Sequence, residues 1–275
     1  MNMSTQANAV LQARDLRLSY DDRILLQNLD LTIHENEIVI LLGPSGVGKS
    51  SLLRTLAGLQ SKQAGEITLF GEALDRPHPK AAFVFQQAAL LPWLTLERNV
   101  AFGLDFKHQP EITKAEITAR VQKALMEVGL SYAAKQYPTA LSGGMAQRAA
   151  LARALAREPE VLLLDEPLGS LDPNTRQEMQ QLLRNTLKSH QAAAVMVTHD
   201  VDEAIDVGDR IVLLGGRPAG IAAEWQVDES IISDSEQRRD LHREILLTMQ
   251  SHSVPVQAES STSNQATNNE LVFAA

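Results

Sequence analysis

Cysteine is absent from all 275 residues, which excludes disulfide scaffolds, thiolate zinc sites and cysteine nucleophiles. This is compatible with a reducing compartment. Basic residues are the minority, 25 Lys and Arg against 34 Asp and Glu, for a net charge of −9. That balance argues against a nucleic-acid binder, whose phosphates call for a basic face, and leaves room only for a small basic pocket. Long apolar runs are also missing. The longest, such as Ile38–Leu42, Val161–Leu164 and Ile211–Leu214, fall far short of the ~20 residues a spanning helix needs. The opening MNMSTQANAV has no basic stretch followed by an apolar one, so no secretory signal is visible. Any work at a membrane is expected from outside the bilayer. Internal repeats and heptad runs are absent as well.

What is present alternates. Leu16–Tyr20 and Leu25–Ile33 switch between apolar and polar residues, as half-buried antiparallel strands do. Ile38–Leu42, Val161–Leu164 and Ala193–Val197 are nearly continuous apolar runs, the mark of parallel strands covered on both faces. Helical patterns follow each, over Gly48–Gly58, Pro173–Ser189 and Val201–Gly208. This repetition predicts an α/β fold, a parallel sheet with an antiparallel β subdomain, and ligands at the carboxyl ends of the strands. From Ala88 to Pro159 helical periodicity takes over, notably in Thr113–Val128 and Ser142–Arg157, which reads as a helical subdomain inserted into the core. The expected organisation is an extension over 1–13, a main domain over 14–227 with the insertion at 88–159, and a helix within 228–250. The Ser/Thr/Asn/Gln-rich segment 251–275 is expected to be disordered. About 48 residues follow Val227, too few for an appended regulatory domain of ordinary size.

Gly43-Pro44-Ser45-Gly46-Val47-Gly48-Lys49-Ser50 matches G-x-x-x-x-G-K-[ST] between a buried-strand pattern and a helical one. Glycines let successive backbone N–H groups turn inward toward phosphate oxygens, and the helix N-terminus adds its positive dipole end. Lys49 is placed to reach the β and γ phosphates of ATP, and the Ser50 hydroxyl to ligate Mg2+. Downstream, the strand Val161–Leu164 ends in Asp165 and Glu166, which it delivers to the same sheet edge. Alone, such a pair would be an ordinary helix cap. Beside a phosphate loop, Asp165 suits Mg2+ and Glu166 suits an attacking water, as its orienter or its base.

Leu141-Ser142-Gly143-Gly144-Met145-Ala146-Gln147-Arg148, with Ser142 lying 23 positions before Asp165, resembles the signature motif of ABC transporter ATPases. The family's other motifs appear in order. Tyr20 resembles the aromatic that stacks on adenine. Gln86, in Phe83-Val84-Phe85-Gln86, resembles the glutamine joining the core to the helical subdomain, where it adds a metal ligand. Ser170-Leu171-Asp172 resembles the loop after the acidic strand, and Thr198-His199-Asp200 the switch histidine, 33 positions beyond Glu166. The resemblance covers about Arg14 to Val227. It implies that Tyr20, the loop Gly43–Ser51, Gln86 and Ser142–Met145 bind ATP, that Ser50, Gln86 and Asp165 hold Mg2+, and that Lys49, Glu166 and His199 serve catalysis. It further implies an ATP-sandwiched homodimer, in which Ser142 and the N–H groups of Gly143 and Gly144 face a partner's phosphate loop. One phosphate loop and one signature per chain agree with that.

The wording Leu90-Leu91-Pro92-Trp93 followed by Asn99-Val100-Ala101-Phe102 resembles the nitrate, sulfonate and taurine importer group. The signature region looks closest to aliphatic sulfonate importers. The likeness implies two permease subunits docking near Gln86–Val100, an extracytoplasmic solute-binding protein reached through them, and a peripheral place on the cytoplasmic face of the inner membrane. Taurine, nitrate or another small solute is the alternative cargo, and a non-transport ABC ATPase the remote one. Departures from the pattern are mild: Glu35-Asn36-Glu37 where Pro-Gly-Glu is common, Ser51 for Thr, and Gly-Ser-Leu-Asp for Gly-Ala-Leu-Asp. Asn tolerates a left-handed turn, so the first is expected to be accommodated.

Overall fold

The computed structural model describes residues 8–21, 23–107, 109–169 and 171–252. Strands β1 (Ala9–Tyr20) and β2 (Arg23–His34) lead to β3 (Ile38–Leu42), helix α1 (Lys49–Leu56) and strands β4 (Ala64–Leu69), β5 (Glu72–Ala73) and β6 (Ala81–Val84). Helices α2 (Leu96–Ala101), α3 (Lys114–Glu127) and α4 (Gly143–Leu155) follow, with short 3-10 turns at Ser131–Ala133 and Pro138–Ala140. The chain then forms β7 (Val161–Asp165), α5 (Pro173–His190), β8 (Ala193–Val197), α6 (Val201–Val207), β9 (Arg210–Gly216) and β10 (Ala219–Gln226). It closes with α7 (Glu229–Ser233) and α8 (Ser235–His252).

The ten strands form one sheet in the order β5-β4-β1-β2-β10-β9-β3-β8-β7-β6. Strands β9, β3, β8, β7 and β6 are mutually parallel, while β1, β2, β4 and β5 form an antiparallel wing. β10 joins the two, antiparallel to β9 and parallel to β2 at Ala219 and Leu26. In β3 every residue is buried, yet the period of two persists. Ile38, Ile40 and Leu42 face the core shared with α4, α5 and α6, and Val39 and Leu41 face the core shared with α1 and the wing. A parallel strand with helices on both sides has no solvent face, which is why its sequence shows no polar alternation.

Strand β1 starts at Ala9, so residues 9–13, expected as an extension, belong to the sheet, with Leu11 paired to Ile33 and to Leu69. The alternation is disguised by a bulge at Asp15, whose φ is 46°. Strands β4, β5, β6 and β10 carried no clear signal. They are short or rich in Ala and Gly, and pairing rather than propensity makes them. The helix expected within 228–250 is two helices, interrupted at Asp234, whose carboxylate accepts from the N–H groups of Glu236 and Gln237 at 2.8 and 3.3 Å. α8 continues through Ser251 and His252, where the composition predicts the start of a tail; residues 253–275, like Ser170 and residues 1–7, lie outside the described residues. Thr113 and Glu116 form a capping box at α3. Asn36 turns with φ 62°, as its side chain permits. Among the described residues no helix is long and apolar enough to cross a membrane.

Candidate functional site

The phosphate loop runs from the end of β3 into α1. Gly43, Gly46 and Gly48 have φ of 150°, 77° and 108°. At Gly43 space is also decisive, because a Cβ would lie 2.6 Å from the Leu214 carbonyl oxygen on β9. Lys49 is buried and donates to the Gly43 and Pro44 carbonyls at 2.7 and 3.1 Å. Burial lowers its pKa, and the Glu166 and Asp165 carboxylates pull the other way. The lysine is thus a buried cation with two acids in reach.

Strand β7 lies two strands from β3 and brings those acids to the same edge. Ser50 Oγ donates to Asp165 Oδ1 at 2.7 Å, and Arg54 Nη2 lies 3.4 Å from Asp165 Oδ2. Glu166 sits just past the strand with φ 43°, a conformation uncommon outside glycine, and its N–H donates to the Val197 carbonyl of β8 at 3.1 Å. Gln86, just past β6, donates from Nε2 to Glu166 Oε2 at 3.0 Å. His199, just past β8, places Nδ1 3.6 Å from the same oxygen. Ends of three parallel strands therefore converge on one carboxylate.

The histidine turn has its own support. Asp200 caps α6 by accepting from the N–H groups of Asp202 and Glu203 at 2.9 and 3.2 Å. Buried Glu203 accepts from Thr198 Oγ1 at 2.6 Å, and burial raises its pKa. Arg54 and Glu203 were not singled out from sequence, and Thr198 and Asp200 only as the neighbours of the switch histidine. Arg54 had a readable cue, since it lies four residues after Ser50 and so shares its helix face. Glu203 had none, because helix amphipathicity does not distinguish a buried acid from an exposed one.

The signature residues fall at the start of α4. Ser142 Oγ accepts from the Met145 N–H at 3.3 Å and so caps α4, with Gly143 exposed beside it. Gly144 lies against the start of α5, where a Cβ would come 2.8 Å from Thr175 Cγ2. This group bonds within α4 and packs on α5 and on Leu171. Tyr20 stands two-thirds exposed where β1 turns toward β2. Ser51 follows Ser50 on α1, with its carbonyl accepting from Thr55 Oγ1 at 2.8 Å. Ser45 and Gly46 form the exposed crest of the loop, with Val47 N–H bonded to the Pro44 carbonyl at 3.3 Å.

A glycine loop on a helix N-terminus, a buried lysine and two strand-end acids define a phosphate-loop nucleotide site. The family model described as ABC transporter matches residues 26–169. The chain belongs to the ABC transporter family. It is 43% identical over 237 residues to the aliphatic sulfonates import ATP-binding protein SsuB 2 of Burkholderia lata, covering 86% of this chain and 83% of that one. It is 47% identical over 203 residues to the sulfate/thiosulfate import ATP-binding protein CysA of Mycobacterium tuberculosis, covering 73% of this chain and 57% of that one. Among solved structures, it resembles a dimeric ATP-binding cassette in a post-hydrolysis state bound to ADP and Pi. That likeness has TM-score 0.70 and 31% identity, covering 79% of this chain and 99% of that one.

Proposed function

We propose that the chain is the ATP-hydrolysing subunit of an ABC importer for aliphatic sulfonates. The observation that carries the ATPase reading is the convergence of Ser50, Asp165, Glu166 and Gln86 beside the buried Lys49. Lys49 and the loop N–H groups hold the β and γ phosphates. Glu166 orients the attacking water and takes its proton as the new P–O bond forms. The β–γ bridge breaks, and its electron pair stays with ADP. The backbone turn at Glu166, with Gln86 on Oε2 and His199 alongside, keeps that carboxylate at the edge of the sheet rather than in a helix cap.

The donor set suits Mg2+. Ser50 Oγ and Asp165 Oδ1 meet at 2.7 Å, and Gln86, whose Nε2 faces Glu166, has an amide oxygen that bonds to none of the described residues and could ligate. These are hard oxygen donors, and one carboxylate with substrate phosphates is how Mg2+ is usually held. Bound there, the ion would neutralise charge on the β and γ phosphates.

Ser142 and Gly143 stand exposed at the start of α4, which supports a site completed by a second copy of the chain, the signature loop of one copy closing over the ATP of the other. The related cassette bound to ADP and Pi is likewise dimeric. For the membrane partner, a mostly apolar groove of about 390 Å3 opens beside Gln86, walled by Leu59, Phe83, Phe85, Leu91, Phe102 and Phe106, with Arg153 and Arg157 also in its lining. Exposed apolar surface of this kind fits a cytoplasmic segment of a permease subunit, and it would tether the chain to the cytoplasmic face of the membrane. Sulfonate is the cargo favoured by the SsuB relatives, and the CysA relative favours, as a second reading, another small anion.

The cargo is tested by deleting the coding region and growing cells on ethanesulfonate, taurine, nitrate or sulfate as sole source of sulfur or nitrogen. Loss of growth on ethanesulfonate alone is expected. Normal growth there, with a defect on another solute, would reassign the cargo without touching the ATPase reading.

A further inference from the structure

Asn99 on α2 is completely buried, and its side chain is wholly engaged by the backbone just before it. Oδ1 accepts from the Leu91 N–H at 2.7 Å. Nδ2 lies within hydrogen-bond range of three carbonyls, Leu94 at 3.0 Å, Leu91 at 3.1 Å and Thr95 at 3.2 Å. Chemistry sets the amide's orientation, since only its oxygen can meet an N–H and only its nitrogen can meet carbonyls.

The backbone so gathered is a turn. Leu94 N–H donates to the Leu91 carbonyl at 3.1 Å, with Pro92 at the second position, where its fixed φ is favoured. The base of the turn is bound to Asn99, while its tip, Pro92 and Trp93, stands in solvent. Trp93 is 69% exposed. A globular fold gains nothing by holding an indole out of its core, so a buried amide dedicated to doing so needs another reason. Leu91, at the base, is also a wall of the groove, so the turn starts from the groove wall.

We propose that Asn99 is a positioning residue that sets the Leu91–Leu94 turn and so presents Trp93, preformed, to the permease segment lying in the groove. This rests on the docking reading above. A turn fixed beforehand spares the complex the ordering of a loop and a large side chain, which raises affinity without adding a contact.

The test uses the full chain with Trp225→Phe, which leaves Trp93 as its sole indole. Asn99→Asp puts an oxygen where Nδ2 faced three carbonyls. It is expected to change quenching of Trp93 by acrylamide and to lower the membrane-bound fraction of the chain in its own cells, with ATP hydrolysis by the purified chain retained. Because that variant risks misfolding, hydrogen exchange on the unaltered protein supplies a second measurement. The Leu91 amide should exchange about tenfold or more slowly than the Trp93 amide. Equal exchange, or Trp93 quenching unchanged by Asn99→Asp, would overturn the role of Asn99 whether or not the surface docks. A membrane-bound fraction unchanged by Trp93→Ala would instead overturn the docking reading, and with it the purpose assigned to the turn.

Discussion

Ser50 and Asp165 are 115 positions apart in the chain, and the hydroxyl of one donates to the carboxylate of the other at 2.7 Å. The bond joins the first turn of α1 to the last residue of β7 and spans two separately readable motifs. Asp165→Asn preserves the shape but discards the charge that suits Mg2+. Mg2+-dependent ATP hydrolysis is expected to fall by about 100-fold, with a raised Mg2+ requirement. Phosphate release across a Mg2+ titration checks this, and an unchanged requirement would remove Asp165 from the metal site.

Glu166→Gln removes the carboxylate proposed to orient the attacking water but leaves an amide of the same size between Gln86 and His199. Steady-state turnover is expected to fall by about 10^2 to 10^4-fold. ATP binding, followed by equilibrium titration, should persist, because only an interaction made in the transition state is lost. Ordinary turnover in this variant would be incompatible with the assigned role.

Gly144 is constrained by packing as well as by its place in the signature. An added Cβ would lie 2.8 Å from Thr175 Cγ2, a methyl on a stiff β-branched side chain. Gly144→Ala is expected to destabilise the fold by about 1–3 kcal/mol in urea melts. Thr175→Ser removes that methyl, so the double variant should recover most of the loss. Strictly additive losses would mean the clash is not the cause.

Glu203 links the histidine turn to pH. Burial raises its pKa above the ordinary 4.5, so the folded state holds the proton more tightly than the unfolded state does. Its contribution to stability is therefore full below 4.5 and declines as pH climbs through the raised folded value. Glu203→Gln should flatten the stability profile in that window by at most about 1.4 kcal/mol per pH unit. Urea melts at successive pH values measure the slope, and an identical slope in both proteins would count against a buried titrating carboxyl.

Motif spacing carried most of what could be read locally. The phosphate loop, the acids after an apolar strand and the signature each announce themselves within eight residues or fewer. The helices were also close to legible. α3 spans Lys114–Glu127 where periodicity indicated Thr113–Val128, because its cap is written into Thr113 and Glu116. Strands β4, β6 and β10 were not legible, since Ala-Gly-rich segments become strands only when a neighbour offers its unpaired edge.

Chain order was enough to establish the family and to point to the residue types proposed for the phosphate site, because those chemistries need fixed neighbours along one backbone. It could not show that Gln86 and His199 meet on one oxygen of Glu166, or that Arg54 reaches Asp165. Nor could it show that Asn99 anchors the turn bearing Trp93. Those relations arise where parallel strands distant in sequence end side by side, or where a helix folds back on its own approach. Hydrogen bonds act over about 3 Å whatever the number of residues between the partners, so only the packed fold determines which groups meet.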